Sequence, residues 1–342
     1  MNYKLIFISS FLLISQSTQL FIDNPKLSTW MMENGEKFFN LSESILTKVQ
    51  QSVLDNLQII EKHNKEVSDF ILGLNEFSDL DKKEFVKCYC KTVMPKQFLP
   101  DRPKLARAKA LNNFTIDNLP ESFSWKEHFE RVKMQGKCGS CYAFSVTSML
   151  EAMNKKKNSS WNYELSPQYI LDCDSKNDGC DGGWPAESLM FLKYKSKNEA
   201  PTLENYPYIK KQKECKMTGF PKVKLNIDEV FEFKFRGDEK QMRLHLVNYG
   251  PLVITMHVND DTGLFQNYKK GIFYEKECSN DCKIINHAMV LIGYGVTNDD
   301  EKKPYYLVLN SWGKSWGEEG YIRMAADRGN NCNVACFGVV AT

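Results

Sequence analysis

Residues 135–145 read QGKCGSCYAFS. Cys138 and Cys141 sit three residues apart in this stretch, beside a run of small residues. A redox dithiol, a pair of metal ligands, a structural bridge, or a bridge next to a nucleophile would each use such cysteines. The rest of the chain must choose among them.

The chain has 342 residues, 42% hydrophobic and 26% charged, with a formal net charge of +2. That is an ordinary globular balance, large enough for one big or two modest domains. It lacks the basic excess of a nucleic-acid binder. The N-terminus, MNYKLIFISSFLLISQS, carries one lysine, an apolar run from Leu5 to Ile14, and small residues at Ser15 and Ser17. This is the layout of a secretory signal peptide cut near Ser17, and the run is too short to span a bilayer. No later segment is long and apolar enough to span one either. Secretory synthesis makes disulfides the default reading of the eleven cysteines, and the odd count leaves at least one free thiol. Sequons at Asn40, Asn113 and Asn158 agree with that route.

Two textures follow. In the first, Ile45, Val49, Val53, Leu57 and Ile60 recur at helical spacing and mark one apolar stripe. GLNEFSDLDKKEF then interrupts, and a second helix is expected from near Asp79. The stretch MPKQFLPDRPKLARAKALNN, rich in proline and basic residues, reads as an exposed linker open to proteolytic nicking. From Leu119 the chain is denser. Helices are expected over 141–154, 185–197 and 239–248, the last opened by Asp238 and closed by Gly250. Strand-like runs follow: VKLNIDEVFEFKF, PLVITMHV, HAMVLIGYGV, PYYLVLNSW and GYIRMA. A helix-rich half and a strand-rich half imply two subdomains with a cleft between them. The RGD at 236–238 reads as a turn and a helix cap rather than an adhesion motif.

The residues before Cys138, HFERVKMQGK, are not the β-rich lead-in of a redox dithiol. Zinc held by Cys278, Cys282, Cys332 and Cys336 is disfavoured in an oxidising compartment, where two bridges use the same cysteines. A nucleophile needs a base, an orienting group and oxyanion donors. Of the five histidines, His287 opens the apolar run AMVLIGYG, which would hold an imidazole firmly. Asn310, beside Trp312, can accept the imidazole N–H and fix its tautomer. Gln135 can donate to an oxyanion, and so can the backbone N–H of Cys141 at a helix start, where thiolate is also favoured.

QGKCGSCYAFS, GCDGGW, NHAMVLIGYG and NSWGKSWGEEGYI resemble, in order and spacing, the signature blocks of papain-like, cathepsin L-type cysteine proteases. GLNEFSD resembles that family's propeptide pattern at Gly73, Asn75, Phe77 and Asp79, and Asn56, Ile60 and Asn64 match its helix motif. Ile45, Val49 and Val53 stand where the family has Glu, Arg and Phe. The resemblance implies an α+β papain-like fold: a helical left domain and a β-barrel-like right domain flank the active-site cleft, behind a helical inhibitory propeptide. The expected organisation is signal peptide 1–17, propeptide 18–117 and mature peptidase 118–342. The expected activity is that of a thiol endopeptidase.

By the same resemblance Cys141 is the nucleophile, His287 the base and then acid, Asn310 the orienter, and Gln135 an oxyanion donor. Such a thiol can have a pKa as low as about 3–4. Gly182 and Gly183 present backbone to an extended substrate. Trp184, Pro185, Thr255, Ile285 and Phe337 line the pocket for the second residue before the cut, with Trp312 beside the site. No carboxylate is expected at that pocket's floor, so modest aliphatic side chains fit better than arginine. The implied bridges are Cys138–Cys180, Cys173–Cys215 and Cys278–Cys332. Parity and spacing add Cys282–Cys336. Cys88 and Cys90 have no assignment. No cofactor or metal is implied. The implied partners are protein and peptide substrates, the chain's own propeptide and inhibitors of the cystatin type, with no nucleic acid and no membrane span. A monomer in a lysosome-like compartment or outside the cell is expected. One departure is Tyr142, where the family usually has Trp.

Overall fold

The structure is a computed structural model and describes residues 24–38, 41–66, 68–95 and 112–342. The expected signal peptide, Asn40 and most of the linker lie outside the described residues. Asn113 and Asn158 are exposed.

The first region begins with Pro25–Asn34 (α1), capped by Asn24 with Pro25 in its first turn. Glu43–Asn64 (α2) carries the apolar stripe. Val49 and Val53 are buried with Leu27, Trp30, Met31 and Phe38 in a core of their own. Apolar packing therefore occupies the Val49 position, where the family has Arg, and keeps the Val53 position, where it has Phe, apolar. Ile45 does not join the stripe. It lies in the first turn of α2, 45% exposed. The second helix, Lys82–Tyr89 (α3), starts later than the sequence suggests. Asp81 is its cap, accepting from the N–H groups of Lys83 and Glu84. Asp79 lies in the preceding turn, where burial pushes its carboxyl upward.

The helical half of the second region centres on Cys141–Lys157 (α4), buried on nearly all sides. Pro167–Cys173 (α5) and Pro185–Met190 (α6) pack against it. The expected helix 185–197 is broken, because a π turn over Phe191–Lys195 takes over after Met190. The other half is a nine-stranded sheet built largely from distant segments. Its strands include Phe70–Leu72 (β1), Phe123–Ser124 (β2), Val230–Lys234 (β5), Leu252–Met256 (β6), Tyr268–Phe273 (β7), His287–Val296 (β8), Pro304–Leu309 (β9), Tyr321–Ala325 (β10) and Phe337–Ala341 (β11). Glu199–Ala200 (β3) and Val223–Lys224 (β4) form a separate pair. Glu239–Tyr249 (α7) packs on β8, with Asp238 as cap and Gly250 at φ 118° closing it. Gly237, at φ 88°, makes the turn before that cap, so RGD here is turn and cap chemistry.

The sheet runs β1-β7-β10-β9-β8-β6-β11-β5, antiparallel except where β7 meets β10, and β2 pairs with β8. Its edge strand β1 comes from the first region, with Phe70 opposite Gly271. Four disulfides are present: Cys138–Cys180, Cys173–Cys215, Cys278–Cys332 and Cys282–Cys336. The last two consume every thiolate that a zinc site there would have needed. Among the described residues, no helix is long and apolar enough to cross a membrane.

Candidate active site

Cys141 is the first residue of α4, so its thiol lies at the positive end of a helix of 17 residues. His287 is the first residue of β8 and pairs with Met256 of β6. That register fixes the imidazole from the sheet side. Asn310 directly follows β9, and its Oδ1 accepts from His287 Nε2–H at 2.9 Å. The same oxygen accepts from the Ser311 N–H at 2.8 Å, which locks the amide's orientation. Trp312 stacks on the imidazole with ring centroids 4.7 Å apart. Cys141 and His287 are fully buried.

With Nε2 committed to Asn310, Nδ1 is left for the sulfur side and has no oxygen or nitrogen partner among the described residues. Burial pushes the Cys141 thiol up. Hydrogen bonding and charge from His287, helped by Thr92 and the Ala288 backbone, outweigh it and draw the pKa down to about 7. That is above the value implied by the resemblance, because burial of the sulfur opposes the thiolate.

Gln135 lies on the other side of the sulfur. Its backbone N–H donates to Ser311 O at 2.9 Å, and Ser311 Oγ donates to Gln135 Oε1 at 2.7 Å. The amide is thus turned so that Nε2 points outward as a donor. It gives one bond to Cys138 O at 2.9 Å and one to Tyr89 O at 3.0 Å. A first-region carbonyl therefore takes one of the two N–H groups of this amide.

The chain after Tyr89 runs through the cleft. Thr92 bridges in parallel to Gly183. Gly183 N–H donates to Lys91 O at 3.2 Å, and Val93 N–H donates to Gly183 O at 3.3 Å. Thr92 N–H donates to Asn286 O at 2.7 Å. Thr92 Oγ1 comes 3.3 Å from Cys141 Sγ, so the sulfur faces a hydroxyl, not a peptide carbonyl. Gly182 has φ 117° and no room for a side chain: a Cβ there would come within 2.0 Å of Lys91 O.

The rest of the first region is held further along the cleft. Phe77, Phe85 and Tyr89 meet Trp312 edge-on at 5.8, 4.8 and 6.3 Å. Buried amides thread between the regions. Asn56 Nδ2 donates to Ser78 O and Leu80 O, and Asn267 Nδ2 donates to Asn56 Oδ1 at 2.8 Å. Gln266 Nε2 donates to Phe77 O and Leu80 O, and Asn75 Nδ2 donates to Gln266 O. Asn64 pairs with both backbone groups of Leu72.

Over residues 119–342 the sequence matches the papain family cysteine protease, and over 29–85 the cathepsin propeptide inhibitor domain. The chain belongs to the papain family of cysteine proteases. It is a cathepsin L-type zymogen, and the first region is its propeptide. The chain is 35% identical to papaya proteinase 4 of Carica papaya, over 90% of this chain and 82% of that protein. It is 32% identical to cathepsin L2 of Homo sapiens, over 82% of this chain and 81% of that protein. The digestive procathepsin L 3 of Tenebrio molitor larval midgut superimposes with TM-score 0.75 at 26% identity, covering 94% of this chain and 99% of that one.

The remaining candidate residues surround the same cleft. Trp184 and Phe337 meet edge to face at 5.4 Å. Pro185 opens α6, Thr255 is buried in β6 opposite Ala288, and Ile285 is half-buried two residues before His287. A carboxylate that sequence reasoning did not place here, Glu232 of β5, accepts from Trp184 Nε1–H at 2.5 Å. Its strand pairs with β11, which sets it opposite Val339 by a long-range register that no local pattern reveals. Tyr142 keeps the aromatic plate and donates its hydroxyl to Gly179 O. Tyr208 was also missed: it donates to Gln135 O at 2.7 Å and contacts Ser140 Oγ at 2.8 Å, bracing the oxyanion side.

Proposed function

We propose that this papain-family zymogen is made in the secretory pathway and, once its propeptide is removed, cuts peptide bonds with Cys141 as nucleophile. The observation that carries the reading is the pairing of Cys141 at the start of α4 with His287 at the start of β8, with Asn310 behind the imidazole at 2.9 Å.

Cys141 thiolate attacks the scissile carbonyl carbon, and the carbonyl electrons move onto oxygen. Gln135 Nε2–H and the Cys141 N–H receive that oxyanion, and in the zymogen the Tyr89 carbonyl takes one of the Gln135 N–H groups. The intermediate collapses, the C–N bond breaks, and His287 gives its proton to the leaving amine. Water then attacks the thioester while His287 takes its proton, releasing the acid and the thiol. Asn310 keeps Nε2 occupied, so Nδ1 is the nitrogen that moves protons. Trp184 and Phe337 make the neighbouring pocket bulky-walled, and the Glu232 carboxylate bonded to Trp184 removes the reason for expecting only modest aliphatic side chains there. Lysosome-like or extracellular action, processing near Asn118, and a monomeric enzyme complete the proposal.

The test holds the proform at acidic pH with mild reductant and adds a thiol-directed peptidyl epoxide. Mass spectrometry should find loss of about the first hundred residues, as the domain spans imply, and one label on Cys141. A chain cut artificially at the linker that stays unlabelled at Cys141 would overturn the reading.

A further inference from the structure

The propeptide leaves an ion pair in the cleft that blocking the sulfur does not need. Lys91 precedes Thr92, and its stem crosses Gly139, two residues before Cys141. A Cβ at Gly139 would come within 2.5 Å of Lys91 Cβ and 2.7 Å of Lys91 Cδ. Gly182 forms the other wall. The walls are tied together by the Cys138–Cys180 bridge and by Gly139 N–H donating to Cys180 O at 3.0 Å. Glycines on both sides leave a channel beside the nucleophile that suits a long unbranched stem. At its outer end Lys91 Nζ donates to Asp181 Oδ1 at 2.8 Å. Asp181 sits between bridged Cys180 and Gly182, so its backbone is held while its side chain remains 83% exposed. The propeptide's stem is already inserted where a substrate's would go.

We propose that Asp181 sets the enzyme's preference for the residue that contributes the scissile carbonyl, selecting lysine or arginine and disfavouring aspartate or glutamate. The inference rests on the peptidase reading above. A substrate laid along Gly183 with its carbonyl at Cys141 must send that residue's side chain between Gly139 and Gly182, toward Asp181. Because the pair is exposed, its effect is modest and weakens with salt.

The experiment uses the activated enzyme with Cys141 titrated by the epoxide, so each rate refers to competent sites. Three fluorogenic peptides differ only in having Lys, Gln or Glu before the cut. In the wild type the Lys:Gln ratio of kcat/KM should be about threefold to fivefold at low salt, with Glu below Gln. The ratio should fall toward one at about 0.5 M salt, as screening requires. Within Asp181→Asn it should be near one, and within Asp181→Lys it should invert in favour of Glu. A wild-type ratio of one or less, or a Lys preference that survives in Asp181→Asn, overturns the proposal while leaving a working peptidase. No cleavage of any peptide and no epoxide label removes the peptidase reading and this proposal together.

Discussion

Phe85 and Thr92 belong to the same propeptide and lie only a few residues apart, yet they hold the cleft in different ways. Phe85 is fully buried, its ring edge-on to Trp312 at 4.8 Å and stacked on Tyr89 at 5.3 Å. Around it lie aromatic rings and the amide bonds of Asn56, Asn75 and Gln266. Thr92 has a backbone bond to Asn286 and a hydroxyl 3.3 Å from the sulfur. Burying a large aromatic is worth several kcal/mol, whereas one hydrogen bond is worth about 1 kcal/mol net. The body of the propeptide therefore supplies affinity, and the tail supplies only aim.

Phe85→Ala tests the affinity half most severely. It should cost about 3–5 kcal/mol of propeptide docking. Epoxide labelling of Cys141 in the uncut proform at neutral pH should then speed up by about a hundredfold or more, read by mass spectrometry. Gln135→Ala acts where tail and chemistry share one amide. The activated variant should lose about 3 kcal/mol of transition-state stabilisation, seen as a fall in kcat/KM of roughly a hundredfold. The proform's thermal stability should fall as well, because the buried amide's bonds to Tyr89 O, Cys138 O and Ser311 Oγ are all lost.

Glu275 probes the surface that receives the body. It lies behind the loop carrying Gln266 and Asn267 and accepts from Asn259 and Thr262. Burial pushes its pKa up to about 7 against the opposing pull of those hydrogen bonds. The folded protein thus binds this proton more tightly than the unfolded chain. The site is unstrained below the unfolded value near 4.5, stability falls as pH rises through the interval, and the penalty is complete above about 7. Glu275→Gln should match the wild type near pH 4 and exceed it at pH 8 by an amount on the order of 2–3 kcal/mol, measured as Tm against pH. Thr92→Ala is the mildest change. Labelling of the proform should accelerate only a fewfold, as losing one weak contact to sulfur implies. A change as large as that of Phe85→Ala would erase the distinction between body and tail.

The cleft was legible in the sequence because its chemistry demands particular residue types at fixed places. Cysteine at a helix start, histidine at a strand start and asparagine after a strand each left a local trace. The apolar stripe of α2 was legible for the same reason, through its period. What escaped was set by distant pairing. β1 is three residues long and exists because β7 offers an edge. Tyr89 faces Gln135 only because α3 ends there. Lys91 meets Asp181 across ninety residues of chain. Ile45 fitted the period but not the burial: its neighbour Leu46, and Leu41 before the helix, pack against the core that collects Val49 and Val53, while Ile45 stays exposed.

The β1–β7 ladder has a consequence for the time after activation. When the propeptide departs, β7 becomes the outer strand of the sheet, and the backbone groups that faced β1 lose their partners. Naked edges invite other chains to pair with them. Two neighbouring residues of β7, Lys269 and Lys270, are both exposed lysines. One ammonium group on each face of the strand repels a second copy approaching strand to strand, and such charges are a common means of keeping edges soluble. The zymogen thus already carries a safeguard against self-association that it will need only once it has been cut.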